Sequence, residues 1–186
     1  MTCNLQFIQS INQGFVEILG KDDWDDFQLF LKDSSESGSC MQYLSMMQSY
    51  LSQKFGYCES EGIAICIGKN AYHPIKIAFE PILHFQEVDF RFLPHHKRIK
   101  IALERLVERV YKPVGIPIMS LGTEGKDSWT IKPDGSIHTF PVQILNGILQ
   151  EMLLDVSGGH FFSTEIQEDE QQNMIILTFG TSPIGH

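Results

Sequence analysis

The chain has 186 residues, of which 42% are hydrophobic and 20% charged, a composition typical of one compact domain with a sizeable core. No run approaches the roughly 18 apolar residues of a membrane-spanning helix, and the segment MTCNLQFIQS has no basic leader, so neither secretion nor membrane integration is expected. The net charge of −9 repels phosphate backbones and argues against nucleic acid as a partner.

The four cysteines, Cys3, Cys40, Cys58 and Cys66, are widely spaced and include no C-x-x-C pair. This spacing excludes a zinc ribbon and a redox dithiol, and it fits a reducing cytoplasm. Cys40 and Cys66 have apolar neighbours in the sequence, so we predict that both are buried free thiols.

Three helices are predicted in the first third of the chain. Apolar residues recur at helical spacing from Ile8 to Leu19, before Gly20. Residues 21–33 have acidic residues in their first turn, where the helix dipole favours them. After a polar loop at 33–39, the pattern from Cys40 to Phe55 predicts a third helix.

Residues 62–80 can be interpreted in two ways. The run from Ile63 to Ile67 is rich in residues that favour strands, whereas Ala71, Ile75 and Phe79 suit a buried helix kinked by Pro74. The pattern alone leaves both possibilities open.

The second half of the chain predicts a mixture of helices and strands. Residues 95–110 form an amphipathic pattern, and a further helix is predicted from Pro141 to Val156. Four segments favour strands: IPIMSL, SWTIKP, HFFSTEIQE and NMIILTFG, the last two forming a hairpin through DEQQN. We therefore predict an α+β fold, in which N-terminal helices pack on a late antiparallel sheet of about four strands, with the helix of Gly147 over that sheet.

No catalytic residue and no metal site is predicted. The sequence contains no nucleophile motif, phosphate-binding loop or nucleotide-binding glycine motif. Its seven histidines include no H-x-x-x-H pair, and adjacent His95 and His96 point in different directions from a helix, so they are predicted to lie at the surface. His73 is the exception, because it could face a cavity and ligate a porphyrin metal. A buried, hydrogen-bonded histidine is the alternative.

Large apolar side chains are concentrated in the middle of the sequence and suit a pocket for a bulky hydrophobic ligand. The same side chains would suit a dense core. The candidate ligand-binding residues are Tyr72, His73, Phe79, Phe85, Phe90, Phe92 and Trp129.

Three segments together resemble the 4-vinyl reductase domain family. NGILQEMLLDVSGGHFFSTEIQEDE resembles its C-terminal signature, a helix that leads into a Ser-Gly-Gly turn and an edge strand. LPHHKRIKIALERLVERVYKP is similar to its long amphipathic helix, and KFGYCESEGIAICIGKNAYHPIKIAF to its Tyr-Gly turn and following helix. The family's cysteine cluster is absent, so a cysteine-dependent metal or redox role is not expected.

The resemblance implies that residues 62–80 are helical and that the chain is a single-domain plait, as in the small subunits of the TRAPP vesicle-tethering complex. It implies an N-terminal helical part at 1–60, a ligand-binding core at 61–186, and pairing as a homodimer or with a related domain. The expected function is a non-catalytic carrier or sensor for a tetrapyrrole of chlorophyll type or its precursor, linked to photosystem assembly. Such a protein is expected in the cytoplasm, with peripheral association with a thylakoid membrane. The alternatives are a ligand-free scaffold for a larger complex and, third, a vinyl-group reductase subunit.

Overall fold

The chain divides into two compact units, each assembled from two separate stretches of sequence. The first consists of Met1–Ala78 and Pro141–Leu149, and the second of Phe79–Phe140 and Gln150–His186. The computed structural model describes residues 2–33, 39–116, 118–123, 128–133, 141–160, 162–169 and 174–181. The turn predicted through DEQQN, residues 169–173, lies outside these ranges apart from Asp169.

The described residues form seven helices and four strands. The helices are α1 (Thr2–Leu19), α2 (Lys21–Asp33), α3 (Cys40–Phe55), α4 (Tyr57–Leu83), α5 (Val88–Arg91), α6 (His95–Leu106) and α7 (Val142–Ser157). The strands are β1 (Ile118–Thr123), β2 (Ser128–Pro133), β3 (Phe162–Asp169) and β4 (Met174–Thr181).

The first three helices lie where the sequence predicts helices, and their ends have clear local causes. Gly20 and Gly56 have φ values of 88° and 80°, a conformation that glycine adopts without a steric penalty. The Ser39 side chain caps α3 by accepting a hydrogen bond from the Gln42 backbone N–H at 3.3 Å.

An aromatic cluster joins α1, α2 and α3 in the first unit. Phe27 is fully buried at its centre. Its ring centroid lies 5.3 Å from those of Phe15 and Tyr50, 5.8 Å from Tyr43, 5.9 Å from Trp24 and 6.4 Å from Phe30. At the edge of the cluster, Lys54 of α3 bonds to Asp23 and Asp26 of α2 at 2.5 and 2.8 Å. These carboxylates raise the pKa of Lys54 by hydrogen bonding to its charged form.

Within the first unit, α4 and α7 cross at two glycines. A Cβ atom on Gly68 would overlap the Ile144 carbonyl oxygen, and one on Gly147 would overlap the Ile65 carbonyl oxygen. The two backbones are therefore in direct contact, with no room for any side chain between them. The sequence analysis placed the helix of Gly147 over a sheet; at Gly147 itself this helix packs against α4.

The ambiguous segment at 62–80 is helical throughout. It lies within α4, which continues through Pro74 to Leu83. Small and apolar residues face inward at helical spacing, with Ala64, Ala71 and Ile75 fully buried and Gly68 buried between them. The run from Ile63 to Ile67, although rich in residues that favour strands, is thus part of a helix whose buried face carries small side chains.

In the second unit, α6 ends in a π-helical turn. Over Val107–Tyr111 the backbone hydrogen bonds join residues five positions apart instead of four. For example, the Lys112 N–H donates to the Val107 carbonyl at 3.0 Å. Tyr111 is fully buried at the end of this turn, and its burial raises the pKa of the phenol.

The strands of the second unit form one antiparallel sheet in the order β1-β2-β4-β3. β3 and β4 are paired along their whole length, from Phe162 opposite Thr181 to Asp169 opposite Met174. Trp129 pairs with Phe179 across β2 and β4.

The predicted fold class, a single-domain plait with N-terminal helices packed on a late sheet, is wrong. Helices dominate the described residues, and α1, α2 and α3 belong to the first unit together with most of α4 and the first half of α7, whereas the strands belong to the second unit. The error has a physical cause: an apolar helix face shows that a helix is buried but does not show against what. No described helix is both long and apolar enough to span a membrane.

The structure also corrects one of the two predicted buried thiols. Cys40 is 2% exposed, and its burial raises the thiol pKa to about 12, whereas Cys66 is exposed on α4, as is Cys58. Because the thiolate is the reactive species, a maleimide should label Cys58 and Cys66 of the native protein on the order of a hundredfold faster than Cys40. Mass spectrometry of the labelled peptides measures this, with urea-unfolded protein as the control. Labelling of native Cys40 at the rate of Cys66 would contradict the structure.

Candidate functional site

Two histidines begin α6, and the helix separates them. Pro94 precedes the helix with φ −53° and ψ 142°, an extended conformation that starts the first turn at His95. His96 is exposed, whereas His95 is half-buried on the face that continues through the fully buried Ile99 and Leu103. The His95 ring therefore faces the interior of the second unit.

The His95 ring lies in a small aromatic cluster. It meets the His160 ring edge-on, with centroids 5.2 Å apart and planes at 80°. It lies nearly parallel to the Phe162 ring at 6.2 Å and 11°. Trp129, only 2% exposed, meets Phe162 at 6.1 Å and 64°. We call His95, Trp129, His160 and Phe162 the His95 cluster.

The loop after α7 places His160 in this cluster. Gly158 and Gly159 have φ values of 81° and 95°, which turn the chain sharply at the end of the helix. The Ser157 hydroxyl accepts a hydrogen bond from the His160 backbone N–H at 3.0 Å. It also lies 3.1 Å from the carbonyl oxygens of Leu154 and His160, to either of which it can donate. The backbone before β3 is thus fixed by local bonds.

Arginines of α6 tie the helix to its neighbours. Arg98 donates to the Arg91 carbonyl at 3.0 Å and to the Ser157 carbonyl at 3.4 Å. Arg105 donates to the Leu83 and His84 carbonyls at 2.8 and 3.1 Å, which satisfies acceptors at the end of α4 and places a cation where the helix dipole favours one.

The candidate metal ligands of the His95 cluster are the imidazoles of His95 and His160. An imidazole nitrogen is a common metal ligand and the usual proximal ligand of haem iron. Among the described residues, no group of three histidine, cysteine, aspartate or glutamate side chains could hold a bare metal ion.

The predicted ligand-binding residues lie at several separate places. Tyr72 is buried in the first unit, and His73, beside it on α4, is exposed. Phe79, Phe85 and Phe90 are buried in the second unit, where the last two stack at 5.2 Å. Phe92 is 85% exposed. Trp129 is the one predicted residue that belongs to the His95 cluster.

Sequence reasoning missed the other members of this cluster. His95 and His160 were predicted to be surface histidines, and Phe162 was not among the candidate ligand-binding residues; His160 is indeed exposed, whereas His95 is half-buried. One signal was present, since His95 precedes Ile99 by four residues and Leu103 by eight, which places all three on the buried face of the helix. The contact of that face with Phe162 depends on a strand more than sixty residues away in sequence.

No family model and no curated protein matches the sequence. Solved structures do match. The Fe(II) unliganded H-NOX protein from K. algicida has a TM-score of 0.65 at 9% identity, with 98% of both chains covered. The H-NOX protein from S. oneidensis in its Fe(II)NO state has a TM-score of 0.55 at 10% identity, with 94% of this chain and 96% of that chain covered. A structure concerned with haem redox potential and porphyrin distortion scores 0.58 at 11% identity, with 96% and 95% covered.

These likenesses overturn the predicted membership in the 4-vinyl reductase family and the relation to TRAPP subunits. The quoted motifs consist of amphipathic helices, a glycine turn after a helix and a strand, and such features recur wherever a helix ends before a strand. The expected chlorophyll-type ligand, photosystem role and thylakoid association rested on that resemblance and are unsupported. The chain has the fold of the H-NOX proteins.

Proposed function

We propose that this chain is a non-catalytic sensor domain that binds haem, and that His95 would hold the iron. The observation that carries the proposal is the half-buried His95 ring, oriented at the start of α6 by His160 and Phe162. The likeness in fold adds support, because the neighbours named above are described as Fe(II), Fe(II)NO and haem proteins.

The His95 ring would hold the iron of a porphyrin, and its neighbours His160 and Phe162 would set its orientation. When bound, the haem would supply an iron able to take up a small gas such as NO. His95 would hold the iron through a ring nitrogen, while the edge of His160 and the face of Phe162 restrict rotation of the imidazole. The arginines Arg98, Arg105 and Arg109 donate to main-chain carbonyls, so they are poor candidates for binding haem propionates. We expect axial ligation and apolar contact to supply most of the affinity.

Apolar contact with the haem is assigned to the buried aromatic residues predicted from the sequence. These are Phe79, Phe85, Phe90 and Trp129 of the second unit, all at most 5% exposed, whereas Tyr72 belongs to the first unit and is not assigned to the haem. Burial of a flat apolar ligand against them would stabilise the complex by roughly 25 cal/mol per Å2 of apolar area. The exposed side chains of His73 and Phe92 contribute less in this proposal.

The function is sensing or carriage and not catalysis, because the sequence provides no nucleophile motif and no nucleotide-binding loop for a hydride donor. We place the protein in the cytoplasm.

The predicted homodimer came from the resemblance, and sedimentation of the purified protein tests it. The scaffold alternative is favoured by one observation, the exposure of two large apolar side chains, Val88 of α5 and Phe92 at the end of that helix.

Reconstitution with haemin tests the proposal. The wild-type chain should bind about one equivalent and develop a Soret band, while His95→Gly should bind at least about tenfold more weakly. His96→Gly is the matched control, because His96 is the next residue and its ring is exposed. This variant should bind haem as tightly as wild type. Added imidazole should restore the Soret band of the His95→Gly variant. A folded wild-type chain that takes up no haem, or equal binding by His95→Gly and wild type, would overturn the proposal.

A further inference from the structure

An exposed patch at the junction of α5 and α6 combines apolar and basic side chains. Phe92 is 85% exposed and Val88 is 65% exposed, four residues apart on one side of the short helix α5. Arg91 lies beside Phe92, and Lys97 follows in the first turn of α6, both exposed. We call Val88, Arg91, Phe92 and Lys97 the α5 patch. Aromatic residues and arginine are the residue types enriched at protein interfaces.

The backbone beneath the α5 patch is held in place. Phe90 is 3% exposed, stacks on Phe85 at 5.2 Å and lies 5.2 Å beneath the Arg105 guanidinium. The Leu93 N–H bonds to the Phe90 carbonyl at 3.2 Å, and Arg98 donates to the Arg91 carbonyl at 3.0 Å. Phe92 is therefore presented on an ordered turn, and an ordered surface loses less conformational entropy on binding.

The patch carries positive charge in an acidic protein. Residues 88–112 contain seven of the 14 lysines and arginines but only three of the 23 acidic residues. Several of these bases are occupied: Arg105 and Arg109 bind carbonyls, and Lys100 and Lys112 pair with Glu104 and Glu108. By contrast, no ion pair within the described ranges includes Arg91 or Lys97. Their charges remain available to a partner.

We propose that the α5 patch is the docking surface for an acidic segment of a partner protein that inserts a large apolar side chain beside Phe92. Charge complementarity selects this partner, because Arg91 and Lys97 attract carboxylates while Phe92 and Val88 need apolar cover. A flat anionic membrane is disfavoured. Membrane-binding segments generally carry four or more clustered bases, whereas the α5 patch has two, Arg91 and Lys97.

Docking and haem binding are separable properties. Phe92 lies three residues before His95, so the patch and the proposed haem ligand share the start of α6. The docking surface itself uses none of the His95 cluster. A chain that binds no haem can therefore still bind the partner, and the two proposals fail independently.

Selection from a displayed library of random peptides, with the purified full chain as bait, tests the docking proposal. Recovered peptides should be acidic and contain a large apolar residue. Synthesised, they should bind Phe92→Ser and the double variant Arg91→Glu/Lys97→Glu at least about tenfold more weakly than wild type. Leu29→Ser, at another exposed apolar residue, and Lys21→Glu/Lys69→Glu, with the same charge change elsewhere, should bind as wild type.

Circular dichroism of each variant confirms that it is folded, which is expected because the substituted side chains are exposed. Three results would overturn the proposal: selection of basic peptides, selection of no peptide that depends on the α5 patch, or patch-dependent binding to phosphatidylserine vesicles without peptide binding. The last would identify a lipid surface instead of a protein.

Discussion

Alanine at Gly147 is expected to destabilise the protein by about 3 kcal/mol or more. The added Cβ would overlap the Ile65 carbonyl oxygen and lie 3.0 Å from the Gly68 Cα, so only separation of α4 from α7 could accommodate it. Such separation would weaken the packing of fully buried residues on α7, such as Ile144 and Ile148. Gly68→Ala should have a similar effect, since its Cβ would overlap the Ile144 carbonyl oxygen.

Gly62→Ala provides the matched control. Gly62 lies in the same helix as Gly68 but is exposed, and a Cβ there would meet nothing within 4 Å. This substitution should stabilise the protein by about 0.5–1 kcal/mol through helix propensity alone. Urea unfolding followed by circular dichroism measures all three variants. Unchanged stability of Gly147→Ala would show that α4 and α7 do not cross in contact.

Phe27→Ala should cost about 3–5 kcal/mol, because it removes the ring at the centre of the α1–α3 aromatic cluster. Five neighbouring rings, with centroids within 6.4 Å, would border the resulting cavity. These rings are large and rigid and cannot collapse to fill it. Phe92→Ala is the control, because it is the same substitution at a side chain that is 85% exposed. Its free energy of unfolding should stay within about 0.5 kcal/mol of wild type. Thermal unfolding measures both variants. Equal effects at the two positions would contradict the assigned burial.

The helices of the first half could be predicted because each carries its own signals. Gly20, Ser39 and Gly56 mark helix ends by local chemistry, and the structure places ends at all three. Residues 62–80 could not be assigned from the pattern. Their inner face holds glycine and alanine at the crossing with α7, so hydrophobicity varies little around the helix.

The architecture could not be predicted because it depends on contacts between distant residues. Gly68 and Gly147 are 79 positions apart, and each must be a glycine because a backbone carbonyl of the other helix lies against it. Neither glycine, considered alone in the sequence, indicates a partner. The prediction therefore placed the late helix on the nearest predicted sheet, although its first half contacts α4.

The candidate site was predicted only in part for the same reason. Trp129 stood out as a large aromatic residue and lies in the His95 cluster. His95 was assigned to the surface because it stands beside His96 and Lys97 in a basic run, a pattern typical of a solvated helix start. The environment of its ring comes from Phe162 of β3 and from His160 in the loop after α7, which the fold brings to α6.

The split composition of the first unit constrains the order of events during synthesis. When the ribosome has released Ala78, this unit still lacks Pro141–Leu149, the segment that covers Gly68. One apolar side of the nascent helices therefore stays exposed until Pro141–Leu149 has been synthesised. A truncated product ending at Ala78 is therefore an incomplete subdomain, and any autonomous fragment has to carry the later segment on a new connection.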